Sequence, residues 1–261
     1  DIQDKVQFPT ASKQHDNYYD NYDIHFPGYS SGLIVDRTIE FIQDRVDRND
    51  NFLVNVWMQI PHAPLNLRAD WEQQAKENGY DVEEFYYTGG RKHSDITIEN
   101  ERNSPNQRLL VQTLIRDHSL QIGKLVDKIK DLGIDENVLL IYTSDNGREQ
   151  EDTYYASQGS GGSFRGGKRS IYDGGVHVPF FVRWSGHIPA GRVSTIPASH
   201  VDLFPTLVTI AGYTVDEIPL HDELDGIDKS CIYFNTCTQN EMETVVKDHP
   251  IFFEWRYPVS N

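Results

Sequence analysis

Long apolar runs are absent from this chain of 261 residues, and basic residues are scarce relative to acidic ones. The longest apolar segments, Phe52–Ile60 and Val178–Trp184, have the length of a strand. A helix needs about 20 apolar residues to cross a bilayer, so we expect no membrane span. The 24 Lys and Arg residues stand against 40 Asp and Glu residues, which gives a net charge of -16. Because binding to a phosphate backbone needs a basic surface, we expect no nucleic acid partner.

Cysteine is also scarce, since Cys231 and Cys237 are the only two. Their spacing permits a small disulfide loop, as in an exported protein, and it equally permits two free thiols of a reducing compartment. No Cys-x-x-Cys pair or neighbouring histidine pair accompanies them, which argues against zinc. An initiating Met and a signal peptide are lacking at Asp1, so we expect a processed or partial product.

The apolar pattern alternates between helix-like and strand-like segments. The predicted helices span about 31–47, 69–78, 105–132 and 202–211. The predicted strands are Phe52–Ile60, Val138–Thr143, Val178–Trp184 and Ile251–Trp255. The first two are nearly continuous apolar runs, which is typical of strands buried on both faces of a parallel sheet. The alternation predicts an α/β fold with a largely parallel, mixed sheet flanked by helices.

Polar residues follow the first two predicted strands where each strand ends. Pro61-His62-Ala63-Pro64 comes after one, and Ser144-Asp145-Asn146-Gly147 comes after the other. Ligands bind beyond the carboxyl ends of strands in open α/β sheets, so we expect these turns to lie side by side. Asp145 and Asn146 offer the hard oxygen ligands that calcium or magnesium prefers, although an ordinary turn has the same sequence. His62 could donate a hydrogen bond to an anion or shuttle a proton, or it could be a surface histidine.

A glycine-rich segment, Ser160–Arg169, carries an isolated group of bases. Arg165, Lys168 and Arg169 stand in a stretch, residues 153–172, that contains no acid. Glycines permit a close approach of the backbone to a ligand, and Arg and Lys side chains bind tetrahedral oxyanions. The alternative is a flexible surface loop with scattered bases. The glycine spacing and the residue after Lys168 differ from those of a Walker phosphate loop.

Together these motifs resemble, in order, the second half of the sulfatase catalytic domain. The matching segments are Phe52–Leu65, Thr143–Gly147, Phe164–Lys168, Tyr172–Gly175, Val178–Trp184, Gly186–Gly191 and His200–Leu207. The resemblance covers about residues 25–230. It implies an alkaline-phosphatase-like α/β fold that is incomplete at its N-terminus. It also implies that residues 1–215 are the C-terminal part of the catalytic domain and that residues 216–261 begin a smaller C-terminal subdomain.

The resemblance implies a sulfuric-ester hydrolase that cleaves sulfate monoesters of a small molecule or a glycan. Its cofactor would be calcium, or magnesium in its place, held partly by Asp145 and Asn146. Catalytic contacts to the sulfate would come from His62 and Lys168, with Lys168 stabilising the charge on the leaving sulfate and Arg165 helping to bind the substrate. The metal and the lysine would face one tetrahedral anion. The compartment would be secreted, periplasmic or of the lysosomal type.

Three family features have no counterpart in this sequence. They are the Cys-x-Pro-Ser-Arg segment, or its Ser version, whose first residue becomes the formylglycine nucleophile, the N-terminal pair of acidic metal ligands, and a Gly-Lys-Trp-His segment. We expect all three upstream of Asp1, in a missing N-terminal segment of the same protein, and we expect this chain alone to be inactive. Two other interpretations stay open: a phosphonate or phosphate ester hydrolase of the same superfamily, and a non-catalytic sulfatase-like binding protein. His177 stands where family members often have arginine.

Overall fold

The computed structural model describes residues 30–62, 73, 77, 105–149, 160–219, 221–238, 240–242 and 250–254. The helix predicted at about 69–78 lies outside these residues apart from Gln73 and Glu77. Both of these residues are helical, and Gln73 Nε2 donates a 2.8 Å hydrogen bond to Glu77 Oε1.

Two long helices form the main apolar core. Helix α1 spans Ser30–Asp47 and helix α2 spans Pro105–Asp131, which confirms both predictions. Apolar residues at helical spacing place one face of each helix against the other. The side chains buried between them are Val35, Ile42, Leu125 and Ile129. Beyond the end of α2, Gly133 adopts a positive φ of 68° that favours glycine, so the chain turns there as predicted.

Residues 52–60 form an extended segment that packs one face on this core. Phe52, Val54 and Met58 contact the core, whereas Leu53 and Trp57 are 74% and 84% exposed. The prediction that this segment is buried on both faces is therefore wrong for the described chain. Alternate side chains of an extended chain point to opposite faces, and only one face is covered here. No strand pairing involves this segment within the residues that the structure describes.

Strands β1, Leu140–Thr143, and β2, Phe180–Arg183, confirm the existence of two predicted strands within shorter bounds. They pair antiparallel, with Leu140 opposite Arg183 and Thr143 opposite Phe180. The end of β1 therefore lies beside the start of β2, which brings the loop after β1 next to the turn before β2. The largely parallel sheet stays a prediction. Residues 251–254, part of the last predicted strand, form no strand.

Short helices and a disulfide complete the described fold. Helix α3 spans Asp173–Val176, α4 spans Leu203–Ile210 and α5 spans Ser230–Phe234. Four 3₁₀ turns lie at Asp135–Asn137, His200–Asp202, Val215–Glu217 and His221–Glu223. A disulfide joins Cys231 to Cys237, so the structure takes the disulfide loop and not the two free thiols. None of the described helices is both long and apolar enough to cross a membrane.

Candidate functional site

Two loops lie in direct backbone contact at the end of the β1–β2 pair. We call residues 144–149 the Asp-Asn loop and residues 160–176 the glycine loop. Gly147 N donates a 2.8 Å hydrogen bond to Gly175 O, and Lys168 N donates one of 2.6 Å to Arg148 O. These two bonds fix the segment that carries Lys168 against the segment that carries Asp145 and Asn146.

Glycines make this contact sterically possible. A Cβ atom on Gly147 would lie 1.9 Å from Gly174 O, and one on Gly174 would lie 2.3 Å from Gly166 O. Both distances are far shorter than any real carbon–oxygen contact. The sequence predicts that glycines let the backbone approach a ligand closely. In the structure they let one backbone segment approach another, which holds the site loops together.

Lys168 and Arg169 converge on one carboxylate. Lys168 Nζ lies 3.9 Å from Glu149 Oε2, while Arg169 Nη1 donates to Glu149 Oε1. Arg169 has a φ of +70°, an uncommon conformation for a residue with a side chain, and it changes the direction of the chain between the two cations. Sequence reasoning missed Glu149. Its only signal was an acidic stretch directly after Asp145–Gly147 in a chain whose basic residues gather in the glycine loop.

Aromatic rings contact the other cationic residue of the glycine loop and its neighbours. The Arg165 guanidinium carbon lies 4.0 Å from the centre of the Tyr172 ring, a cation–π contact. The rings of Phe164 and His177 have their centres 4.5 Å apart. His177, at the position where family members often have arginine, thus contacts Phe164 of the glycine loop.

Asp145 and Asn146 offer oxygen ligands on the rim of the site. Asp145 is exposed, and its carboxylate forms no hydrogen bond or ion pair within the described part of the chain. Asn146 is half-buried, and Ser144 Oγ donates a 3.0 Å hydrogen bond to its backbone oxygen. A carboxylate and an amide oxygen fit part of a calcium or magnesium shell. Among the described residues, no three His, Cys, Asp or Glu side chains gather as a metal-binding group.

His62 is distant from the two loops in sequence and follows the extended segment 52–60. It is exposed, and its backbone N donates a 2.8 Å hydrogen bond to Gln59 O, directly after the cis Ile60–Pro61 bond. The structure therefore joins Asp145, Asn146, Arg165 and Lys168 through one pair of loops, while His62 belongs to a separate segment.

Two histidines contact β1 just before the Asp-Asn loop. His118 Nε2 lies 3.2 Å from Tyr142 Oη, and His200 Nε2 lies 3.1 Å from Thr143 Oγ1. Burial lowers the pKa of His118, and the neighbouring Asp117 carboxylate partly opposes this shift. The neutral imidazole is thereby favoured. These contacts tie the end of β1 to helix α2 and to the turn before α4.

The described residues form a protein of mixed α and β structure, in which two glycine-joined loops meet at the end of a two-stranded sheet. The chain belongs to the sulfatase family, whose model matches residues 3–213. It is 32% identical over 235 residues to N-acetylgalactosamine-6-sulfatase of Sus scrofa, covering 86% of this chain and 43% of that protein. It is 40% identical over 116 residues to human arylsulfatase A, covering 44% of this chain and 21% of that enzyme.

A solved structure shares the fold. The crystal structure of Ps i-CgsB in complex with k-i-k-neocarrahexaose superposes with a TM-score of 0.62 at 20% identity, covering 83% of this chain and 41% of that one. This chain therefore spans less than half the length of these three relatives. The family resemblance predicted from the motifs is confirmed.

Proposed function

We propose that this chain supplies the lysine-bearing and metal-binding part of a sulfuric-ester hydrolase that cleaves sulfate monoesters. The observation that carries the proposal is the junction of the two loops. The hydrogen bonds from Lys168 N to Arg148 O and from Gly147 N to Gly175 O bring the family's lysine motif to its Asp-Asn motif. A site for a tetrahedral anion needs such preorganised positive charge where negative charge develops.

Each residue has a proposed role that follows from its chemistry. The Lys168 ammonium binds the sulfate and stabilises the charge on it as the ester bond breaks. His62 donates a hydrogen bond to the sulfate or carries a proton. Arg165, stacked on Tyr172, supplies a further cation for the substrate. The nucleophile would be a formylglycine that this chain does not contain, so this chain alone would not turn over substrate.

Calcium, or magnesium in its place, is the proposed cofactor. Asp145 and Asn146 would contribute two of the six to eight oxygens that calcium takes, and further ligands would come from the upstream segment. The exposed Asp145 carboxylate, which no described residue binds, supports this assignment. When bound, the ion would polarise the sulfate and offset its negative charge.

The proposed substrate is a sulfated glycan or a sulfated small molecule. Similarity to a protein named N-acetylgalactosamine-6-sulfatase over 86% of this chain supports the glycan. We propose an exported setting, in agreement with the Cys231–Cys237 disulfide. We also propose that residues 52–60 and β1 belong to a largely parallel sheet in the complete protein, meaning this chain together with its upstream segment.

An assay of the complete protein tests the proposal. Turnover of 4-nitrophenyl sulfate is expected, and EDTA should abolish it. Lys168→Ala should lower kcat/KM by about 100- to 1000-fold, the usual cost of losing one preorganised charge-stabilising group. Lys130→Ala, which removes an exposed helical lysine paired with Asp127, is the matched control and should leave kcat/KM unchanged.

The same assay separates the rival functions. Absence of sulfate turnover, with formylglycine confirmed by mass spectrometry, would overturn the proposal. Hydrolysis of 4-nitrophenyl phosphate in its place would indicate a phosphate ester hydrolase. If neither ester is cleaved and sulfated glycan still binds, the protein is a sulfatase-like binding protein.

A further inference from the structure

The Lys168 ammonium lies farther from the Glu149 carboxylate than the Arg169 guanidinium does. Its Nζ atom lies 3.9 Å from Glu149 Oε2, which is longer than a hydrogen bond but within range of an ion pair. Arg169 binds the other oxygen, Oε1, at hydrogen-bonding distance. The carboxylate thus accepts a hydrogen bond from the arginine and forms a longer-range ion pair with the lysine.

Burial strengthens this arrangement. The Glu149 side chain is 20% exposed and that of Lys168 is 25% exposed, whereas that of Arg169 is 44% exposed. Attraction between unlike charges is stronger where water is partly excluded. The Lys168–Glu149 pair is therefore the more sheltered of the two contacts, and the exposed arginine lies on its outer side.

The backbone provides the second part of the arrangement. Lys168 N is fixed to Arg148 O, one residue before Glu149, so the two side chains start from adjacent, joined backbone positions. Side chains of consecutive residues in an extended chain point to opposite sides. The positive φ of Arg169, within the turn that Ser170 N closes on Gly167 O, instead lets both cations reach one acid.

From this geometry we infer that Glu149 is a positioning residue that sets the place of the Lys168 ammonium for the reacting sulfate, with Arg169 anchoring Glu149. The inference rests on the proposed function of Lys168. Glu149 itself carries a negative charge and would repel a sulfate. Its position beside Lys168 therefore fits a role in orienting the lysine ammonium and not a role in substrate affinity.

A double-mutant cycle in the complete protein tests the inference. Glu149→Gln should lower kcat about ten- to hundredfold, because a misplaced catalytic group loses that much. KM should stay unchanged or fall, since a repelling charge is removed. Because Glu149 acts through Lys168, adding Glu149→Gln to Lys168→Ala should lower kcat no further. Glu149→Asp should restore part of the loss. Glu40→Gln, which breaks the exposed pair with Arg37, is the matched control and should leave kcat unchanged.

Several results would overturn the inference. Independent losses in the double variant would mean that Glu149 does not act through Lys168. A lower KM with normal kcat would show that Glu149 only repels anions. A large fall in Tm with kcat and KM both damaged would show that it only holds the loops together.

Crystal structures decide the inference separately from the proposed function. If the wild-type protein cleaves no sulfate ester, the proposed function fails, and the position of Lys168 can still be compared in the wild type and Glu149→Gln. We expect one ordered ammonium position in the wild type and a displaced or divided one in the variant. The same Nζ position in both would contradict the inference.

Discussion

Two regions of the molecule contain an aspartate and a lysine, and they use them in opposite ways. At the candidate site, Asp145 is exposed without a bound group among the described residues, and Lys168 is half-buried beside Glu149. At the N-terminal ends of α4 and α5, Asp202 is 4% exposed and Lys229 is 2% exposed. There the Asp202 carboxylate accepts hydrogen bonds from Ser199 N at 2.8 Å and Ile227 N at 2.9 Å.

The two regions differ in whether the carboxylate oxygens of the aspartate are already hydrogen-bonded within the described chain. Both carboxylate oxygens of Asp202 accept hydrogen bonds from backbone N–H groups. Burial lowers the pKa of Lys229, and the Asp202 carboxylate partly opposes this shift. Lys229 N also donates to Thr206 Oγ1 at 2.8 Å, so this cluster joins α4 to α5. The buried pair therefore supports the fold. At the candidate site, the exposed Asp145 carboxylate keeps oxygens that an ion can bind, and the Lys168 ammonium lies beside the Glu149 carboxylate.

Replacing Asp145 or Asp202 by alanine, one at a time, should give the largest difference between the binding role and the structural role. Asp145→Ala should lower kcat/KM about 100-fold or more, because charge stabilisation by a metal ion is worth several kcal/mol. Its unfolding free energy should change by less than about 0.5 kcal/mol, as at most exposed positions. Asp202→Ala should lower the unfolding free energy by about 3 kcal/mol, since the backbone N–H groups of Ser199 and Ile227 are left unpaired and the capping box of the 3₁₀ turn at His200–Asp202 is lost.

Urea unfolding and kcat/KM of both variants in the complete protein check this prediction. An Asp145→Ala variant that is destabilised but fully active would contradict a binding role for Asp145. An Asp202→Ala variant that is stable but inactive would contradict a structural role for Asp202.

The junction of the site loops should be sensitive to a single methyl group. Gly147→Ala should lower stability by about 1–3 kcal/mol, the usual cost of overpacking, and kcat/KM at least tenfold, because its Cβ would overlap Gly174 O. Gly123 in α2 has no atom within 4 Å of its built Cβ, so Gly123→Ala should stabilise the helix by about 1 kcal/mol. Thermal unfolding and ester hydrolysis measure both. Equal effects of the two substitutions would mean that the loops are not in contact.

Alkaline pH should lower the stability of the fold through the buried Tyr233. Burial, aided by Asp202 and Asp228, raises the pKa of Tyr233 from 10.0 to about 12. An unfolded tyrosine loses its proton near pH 10, so the folded state binds more protons between pH 10 and 12. Stability then falls with rising pH, by up to about 2–3 kcal/mol.

Tyr233→Phe should remove this loss, and it should not destabilise at pH 9, because the buried hydroxyl has no partner among the described residues. Urea midpoints of wild type and variant at several values between pH 9 and 12 measure the effect. Tyr213→Phe, at a 63% exposed tyrosine, is the control. An unchanged difference between wild type and Tyr233→Phe across this range would contradict the raised pKa.

Lowering the pH from 7 to 5 should cause the smallest of these changes in stability. Because burial lowers the pKa of His118, the unfolded state binds more protons as the pH falls through 6.5, and stability decreases there. His118→Gln should flatten this decrease, while His187→Gln at an exposed position should not. Unfolding curves between pH 7 and 5 provide the test, and identical slopes for all three proteins would refute the predicted role of His118.

The sequence could predict what depends on local patterns. Helices α1 and α2 follow from apolar spacing, and the Asp145–Gly147 and Arg165–Lys168 motifs follow from residue order. The antiparallel pairing of β1 with β2 depends on contacts distant in sequence, and short apolar runs do not encode direction. The exposed face at Leu53 and Trp57 also depends on which neighbours cover it. Glu149 was missed because its pairing needs the left-handed turn at Arg169, which no propensity predicts for arginine.

The central claim is that Asp145 and Lys168 serve one anion and its metal ion. A crystal structure of the complete protein grown with calcium and a sulfate ester tests it directly. We expect an anomalous calcium peak about 2.3–2.6 Å from an Asp145 oxygen, and the Lys168 ammonium in contact with the sulfate of the same ligand. A calcium ion bound elsewhere, with Asp145 in contact only with water and the sulfate distant from Lys168, would contradict it.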